Sequence, residues 1–511
     1  MKRILLAIFT LTLAVAGAIS AQTPGGVLFK TLVSFTYTNG PYYGGGTGGP
    51  RSSGMVKAND GNFYGATYYG GPFGAVIGGF GTIFKMTPDG TFTTIYCFGT
   101  VTNSGGDPLD GQWPVCNLIQ GNNGLLYGTT EYVGASGPGA IFSITTNGVL
   151  NSMPFPENWP DAPLGASPNA GMVQGSDGNF YGTTSEGTNL SNTDTSGDDG
   201  GTVFEITSEG AFINLHSFNG VPTNTYFFNY YYPGGQMPHG ELVEGDDGNF
   251  YGTTEQGGDL YSYGTIFRIA RDGTFTNLVS FNSTNGALPE AGLCKGSDGS
   301  FYGTTSQGGT NGNGGDGTIF KITTNGVFTT LYEFGASSED GNGPAAALIQ
   351  GSDGNFYGTT KWNNNSNTPW GTVFKVTTNG VLTTLYSFSA TVGGIGPIGA
   401  NADGAFAEAK LVQGSNGDLY GETCYGGAYG YGTIFRITIP PAFQSVTQSN
   451  GMFNFVWSIM PGQKYQLQSN TTLNGTNWLN LGSSAIASSA TVSGSDSTTN
   501  SQCFYRIMLL Q

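Results

Sequence analysis

The sequence predicts an all-β protein: a seven-bladed β-propeller closed by its N-terminal strand, followed by a small C-terminal β-sandwich. Three observations predict it. One phrase recurs seven times, its copies carry Asp-Gly or Asn-Gly turns between short apolar runs, and the run missing from the last copy stands alone near the start of the chain. Internal periods of this kind are the signature of repeat architectures.

Residues 1–21 read as a secretory signal peptide. Lys2 and Arg3 precede an apolar run from Ile4 to Ala18, with small residues around Ala18-Ile19-Ser20-Ala21. That run is shorter than the ~20 residues a bilayer span needs. Residues 22–439 hold the propeller. Phe29-Lys30-Thr31-Leu32-Val33-Ser34-Phe35 comes first and matches the closing run of each later unit. Each unit then reads as four strands, written most clearly in the sixth: the apolar pair Leu348-Ile349, Phe356 to Thr360, Thr372 to Thr377, and Leu382 to Phe388. Asp353-Gly354 and Asn379-Gly380 join the first to the second and the third to the fourth. These are the residues of a two-residue hairpin turn with positive φ at both central positions.

The Tyr of the Tyr-Gly step marks the units at Tyr64, Tyr127, Tyr181, Tyr251, Tyr302, Tyr357 and Tyr420. The seventh unit stops at Ile437-Thr438 without a fourth strand, and the run at 29–35 is the strand it lacks. Supplying it from the N-terminus closes a ring and removes an exposed sheet edge. After Pro440-Pro441, residues 440–511 alternate apolar and polar in short runs separated by turns such as Pro461-Gly462. That is the pattern of a small β-sandwich.

Composition bounds the function. Of 511 residues 88 are Gly and 23 Pro, yet aromatics are 13% and hydrophobics 37%, enough apolar surface for packed cores. A net charge of −17 excludes a phosphate-backbone binder, and nothing after the leader is apolar enough to span a membrane. Five Cys and two His offer no zinc-ligand spacing; the thiols read as free, with Cys97–Cys116 as the one alternative pair.

The paired Tyr-Gly-Thr-Thr and Gly-Thr-Ile-Phe phrases resemble the glycine-rich tandem repeat of the Gloeobacter and Verrucomicrobia type. The likeness covers the propeller region and implies an exported bacterial repeat protein with varied surface anchors. It transfers no catalytic motif. Residues 440–511 are similar to fibronectin type III-like modules.

In a four-stranded unit the tight turns emerge on one face and the long variable loops on the other, and function belongs with the long loops. Trp113, Trp159, Trp362 and Trp370 all fall there. So do Tyr42, Tyr43, Tyr68, Tyr69, Tyr230, Tyr231, Tyr261, Tyr263, Tyr429 and Tyr431, among Asn, Asp and Gly. Flat rings beside amides and carboxylates suit a pyranose face, so the leading expectation is a monomeric, exported binding protein for polysaccharide or a surface protein. A polysaccharide hydrolase or lyase is the alternative, with Glu131 and Glu255 as candidate acid and base because both follow Thr-Thr in their units. A structural envelope protein without a small ligand is the third reading. No cofactor is required; Asp194, Asp198 and Asp199 supply the oxygen ligands a calcium ion would take.

Overall fold

The computed structural model describes residues 26–36, 54–72, 79–115, 117–134, 137, 139–155, 167–168, 170–186, 200–218, 221–222, 230–231, 233–258, 262–311, 315–363, 370–391, 399–449, 452–471, 477–497 and 503–510. The expected leader, Tyr42, Tyr43, Trp159, Tyr261, Cys116 and the Asp194–Asp198–Asp199 group lie outside them. Among the described residues the protein is all β, with no helix. Seven of its sheets share one pattern: five hold four antiparallel strands in sequence order, the second unit adds a fifth strand, Gln112–Pro114, to the same four, and the last holds three completed by a strand from elsewhere.

The sixth unit shows how the phrase folds. Its strands are Ile349–Gln350, Phe356–Thr360, Thr372–Val376 and Leu382–Ser387, paired in that order. The first begins one residue later than the sequence predicts. The turns also differ from expectation. Gly351 donates its N–H to Asn355 O at 2.9 Å or less and Gly354 to Gly351 O, and φ is positive at Gly354 while Asp353 stays out of the left-handed region. A turn with one left-handed residue at its end replaces the two-residue turn with two.

Asp353 is then free for a second task. Its carboxylate accepts from the Asn355 N–H at 3.1 Å and from the Tyr357 hydroxyl at 2.8 Å. The same Asp–Tyr bond recurs at Asp60–Tyr64, Asp177–Tyr181, Asp247–Tyr251 and Asp298–Tyr302. Where Asn stands instead, the polarity reverses and the amide of Asn123 or Asn416 donates to Tyr127 or Tyr420. Burial opposes ionisation of Asp60, but hydrogen bonds from Asn62, Tyr64 and Lys85 hold its carboxyl down at about 2.

The Tyr-Gly step has a packing cause. At Gly303 a Cβ would stand 2.5 Å from Phe320 Cζ and 2.9 Å from Leu293 Cδ2. The tip of the third-strand Phe ring closes on the second-strand Gly, and the same closeness recurs at Gly182 and Phe204. Gly303→Ala is expected to lower stability by about 1–3 kcal/mol, the usual overpacking cost, read as a drop in melting temperature. An unchanged melt would show that the ring can move aside.

Each sheet packs on the next through this phrase. Tyr127 faces Phe180 at a centroid distance of 4.3 Å, Tyr181 faces Phe250 at 4.0 Å, Tyr251 faces Phe301 at 4.2 Å and Tyr302 faces Phe356 at 3.9 Å. Leu126 and Leu419 take the Phe place against Tyr64 and Tyr357. Tyr420 of the seventh unit faces Phe63 of the first at 4.3 Å.

Side chains on the first strands add a polar link at the same junctions. Gln120 Oε1 accepts from the Asn59 N–H at 2.8 Å, and Gln174, Gln350 and Gln413 accept likewise from Asn122, Ser297 and Ser352. Glu244 takes the Ser176 N–H in the same way. At Lys295 the polarity inverts, and its ammonium meets Asp246 at 2.6 Å.

The N-terminal strand Leu28–Ser34 pairs antiparallel with Thr433–Thr438 and completes a four-stranded sheet with Leu419–Thr423 and Val412–Gln413. Phe35 and Val27 are fully buried.

Residues 442–510 form two further sheets. Ala442–Ser449, Met452–Ser458 and Thr491–Asp496 make one; Lys464–Asn470 carries Leu479–Asn480, Ala485–Ile486 and Phe504–Leu510 in the other. Trp457 is buried in a core with Phe455, Leu467 and Tyr465, whereas Trp478 lies outside it under the Arg506 guanidinium at 4.2 Å. The turn at Met460-Pro461 meets the short-turn face: Met460 Sδ lies 3.6 Å from the Tyr357 hydroxyl, and Ser352 Oγ donates to Pro461 O at 3.4 Å.

Candidate functional site

The long-loop face carries a regular feature that the sequence alone did not suggest. Five residues from corresponding places in successive units have positive φ although none is Gly: Trp113 (58°), Ser167 (54°), Met237 (55°), Leu288 (54°) and Phe406 (57°). Gly343, at 62°, holds the place in the sixth unit. A left-handed L-residue costs roughly 1–2 kcal/mol, so the surroundings must fix it. They do so on both sides. The N–H of Leu288, Gly343 and Phe406 donates to Tyr263, Asp316 and Trp370 carbonyls at 2.9 to 3.1 Å. Their own carbonyls accept from the N–H of Ser306, Lys361 and Cys424 at 3.0 to 3.1 Å.

Those last three residues belong to the column that follows Thr-Thr, which across the units holds Tyr68, Glu131, Ser185, Glu255, Ser306, Lys361 and Cys424. The two candidate acid–base residues stand in it and enter separate pairs. Glu131 accepts from the Tyr68 hydroxyl at 2.6 Å, and Glu255 lies 3.6 Å from His239 Nε2. The other histidine, His216, stacks on Phe275 at 3.9 Å, and burial pushes it down to about 4.

The densest charged group in this column centres on Lys361. Its ammonium is 2.8 Å from Glu290 and 3.9 Å from Glu408, so three neighbouring units meet at one cation. Ser306 adds a hydroxyl donated to Glu290 at 2.6 Å. Burial pulls the Lys361 ammonium down, but the Glu408 and Glu290 carboxylates outweigh it and raise it. Burial pushes the Glu408 carboxyl up to about 7; Lys361 opposes and Glu290 assists. Neither Glu290, Lys361 nor Glu408 was singled out by the sequence. Their separation along the chain hides them, although laying the units in columns exposes Lys361 as the one cation after Thr-Thr.

The aromatic candidates divide. Tyr68 is buried and stacks with Trp113 at 5.9 Å, Tyr69 meets Trp113 at 6.2 Å and Tyr132 closes on it at 5.5 Å. Tyr263 packs against the Tyr251 core and Tyr431 against the Phe35 core. These rings order loops. Tyr230 pairs with Pro222 and Tyr231 with Val221 in a two-stranded ribbon. Tyr429 is exposed.

Trp362 is different. It is 40% exposed and stands against Phe406 at 4.4 Å and Trp370 at 5.8 Å, with Tyr425 behind Phe406 at 5.5 Å. The Trp370 Nε1 is buried with no hydrogen-bond partner among the described residues. Gly343 joins the aromatic and charged groups, since a Cβ there would meet Trp362 Cδ1 at 3.5 Å, Lys361 Cβ at 3.8 Å and Ser306 O at 3.9 Å.

No group of three or more His, Cys, Asp or Glu that could hold a metal occurs among the described residues. Among them no helix long and apolar enough to cross a membrane occurs. Among the described residues Cys97, Cys294, Cys424 and Cys503 form no disulfide.

Tandem four-stranded sheets of one phrase, with tight turns on one face and variable loops on the other, define a β-repeat protein. The chain belongs to the Gloeobacter/Verrucomicrobia repeat family, whose pattern matches residues 12–230, 222–400 and 313–485. No curated protein matches it. Among solved structures it is similar to the GH74 xyloglucanase from Xanthomonas campestris, at 13% identity over 89% of this chain and 59% of that one, with a TM-score of 0.48. A periplasmic gluconolactonase from Pseudomonas aeruginosa shares 17% identity over 67% of this chain and 86% of that one, with a TM-score of 0.40. A luciferin-regenerating enzyme shares 10% over 81% and 96%, with a TM-score of 0.39.

Proposed function

We propose that this is an exported binding protein, a seven-bladed propeller closed by its N-terminal strand, that holds a neutral polysaccharide on its long-loop face. The pairing of Leu28–Ser34 with Thr433–Thr438 and the Tyr420–Phe63 contact support the closed ring. The basic, then apolar, then small-residue order of residues 2–21 supports export. One observation carries the ligand: the exposed Trp362 ring, backed by Trp370 and Phe406, beside Lys361, whose ammonium meets Glu290 and Glu408. An indole face of this kind takes the apolar face of a pyranose, while carboxylates and ammonium take its hydroxyls. The net charge of −17 supports a neutral ligand, because it repels polyanions such as polyuronates.

Affinity electrophoresis in gels containing β-glucan, galactomannan, xyloglucan or dextran tests the reading. The wild type is expected to be retarded by at least one of them. Trp362→Ala should weaken that retention ten- to hundredfold, since burying an aromatic side chain contributes about 1.5–3 kcal/mol. No retention of the wild type by any of the four would defeat the proposal.

A further inference from the structure

We propose that the outer face of the second C-terminal sheet binds the carboxylates of an acidic polysaccharide, with Arg506 receiving one carboxylate as a fork and Lys464 serving as a second cation. The inference is independent of the Trp362 platform. Strand Lys464–Asn470 pairs with Phe504–Leu510 so that Gln468 stands opposite Arg506 and Gln466 opposite Met508. Directly paired residues share one face of a sheet. Tyr465 and Leu467, with Tyr505, Ile507 and Leu509, belong to the core of these two sheets. The alternate residues, Lys464, Gln466 and Gln468 on one strand and Arg506 and Met508 on the other, therefore point away from that core.

Arg506 is fixed on this face from two directions. Its Nε donates to Gln468 Oε1 at 2.8 Å, and its guanidinium lies over the Trp478 ring at 4.2 Å. Gln468 is 6% exposed, and its Nε2 donates in turn to Asn480 Oδ1 at 2.8 Å. Because an Arg only donates, this relay has one polarity. It sets the plane of the guanidinium and uses Nε alone, leaving Nη1 and Nη2 as a pair that matches the two oxygens of a carboxylate. No ion pair among the described residues includes Arg506 or Lys464.

Charge and spacing define the ligand. Residues 440–511 hold two cations, Lys464 and Arg506, and one acid, Asp496; the other 32 of the chain's 33 Asp and Glu precede residue 440. Asp496 lies on the other sheet, where it accepts from the Tyr505 hydroxyl at 3.0 Å. The repulsion of polyanions thus belongs to the acidic repeat units, and screening over about 10 Å in 0.1 M salt leaves this face net positive. Lys464 stands four residues from Gln468, about 13 Å along the strand. One carboxylate cannot reach both cations, whereas a polymer bearing carboxylates at intervals can. Met508 between them, with Ile486 and Leu510 paired to Lys464, adds apolar surface for the C–H faces of sugar rings.

The test is affinity electrophoresis of the full chain in gels containing polygalacturonate, dextran sulfate, poly-glutamate or dextran. Polygalacturonate is expected to retard the wild type most. Arg506→Gln should weaken that retention roughly tenfold, the scale of a lost charge-assisted pair of hydrogen bonds. Arg506→Lys, which keeps the charge and loses the fork, should weaken it at least threefold. Lys464→Gln, at an exposed place with little packing at stake, should weaken it several-fold with an unchanged melting temperature, so the idea stays testable if Arg506→Gln fails to fold. Trp362→Ala should be retarded as strongly as the wild type. No retention of the wild type by polygalacturonate, or undiminished retention of a folded Arg506→Gln or of Lys464→Gln, would overturn the inference. Equal capture by dextran sulfate would overturn the carboxylate assignment, and equal capture by poly-glutamate the choice of a polysaccharide.

Discussion

Deleting residues 27–35 is expected to abolish cooperative folding. The strand Leu28–Ser34 supplies the outer partner of Thr433–Thr438, and its apolar residues serve two different cores. Phe29 stacks on Tyr386 at 3.9 Å and on Phe435 at 5.5 Å, within the core shared by the sixth and seventh units. Phe35 reaches Phe92 at 5.8 Å and Phe84 at 6.1 Å, in the core shared by the seventh and first. Losing one buried Phe costs about 3–5 kcal/mol. Losing both, with Val27 and a full ladder of backbone bonds, is of the same size as the ~5–15 kcal/mol that separates a typical folded domain from its unfolded state. The point variant Phe35→Ala gives the graded version, lowering stability by about 3–5 kcal/mol in a denaturant titration. A soluble deletion variant with the wild-type melting temperature would contradict the closed ring.

Glu422→Thr is expected to stabilise the protein, and to do so in a pH-dependent way. Glu422 sits where other units place a Thr whose hydroxyl bonds to the next unit: Thr253 donates to Ala291 O at 2.8 Å and Thr304 to Ala346 O at 3.3 Å. Glu422 is 2% exposed, its Oε1 has no partner among the described residues, and burial drives its carboxyl well above the usual range. A carboxyl raised in the folded state is best tolerated below the unfolded value. Its contribution to stability is then lost as pH climbs from that value through the folded one. The variant should therefore gain little over the wild type near pH 4 and about 1–3 kcal/mol at pH 8, the cost of an unsatisfied buried polar group. Comparing variant with wild type cancels the other raised carboxyls, Asp340, Glu408 and Asp418. Equal gains at both pH values, or no gain, would show that the carboxyl finds a partner.

Much of the scaffold is legible in the sequence because each strand uses local chemistry. The Asp of the turn lies four residues from its Tyr, and the Gly of the Tyr-Gly step packs on a Phe of its own unit, so a repeated phrase reports both directly. The turn type escaped because Asp-Gly serves more than one geometry, and Asp353 spends its carboxylate on Tyr357 instead of adopting positive φ. The charged group at Lys361 escaped for another reason. Its members come from three units, 71 residues separating Lys361 from Glu290, and only packing of successive sheets brings them together. The aromatic expectation was too broad. Ring count cannot separate Tyr68, buried against Trp113, from Trp362, which faces outward.

The left-handed residues have a consequence for how such a surface could diversify. At Met237, Leu288, Gly343 and Phe406 the backbone is held by hydrogen bonds through both N–H and carbonyl, independent of the side chain; Trp113 is held through its N–H and Ser167 through its carbonyl. The same cradle therefore accepts indole, hydroxyl, thioether, branched aliphatic, phenyl or nothing at all, as Trp113, Ser167, Met237, Leu288, Phe406 and Gly343 demonstrate. Selection can exchange recognition chemistry there without renegotiating the framework, much as antibody loops vary on a constant sandwich. Six codons randomised together would make a compact library for teaching this scaffold new ligands.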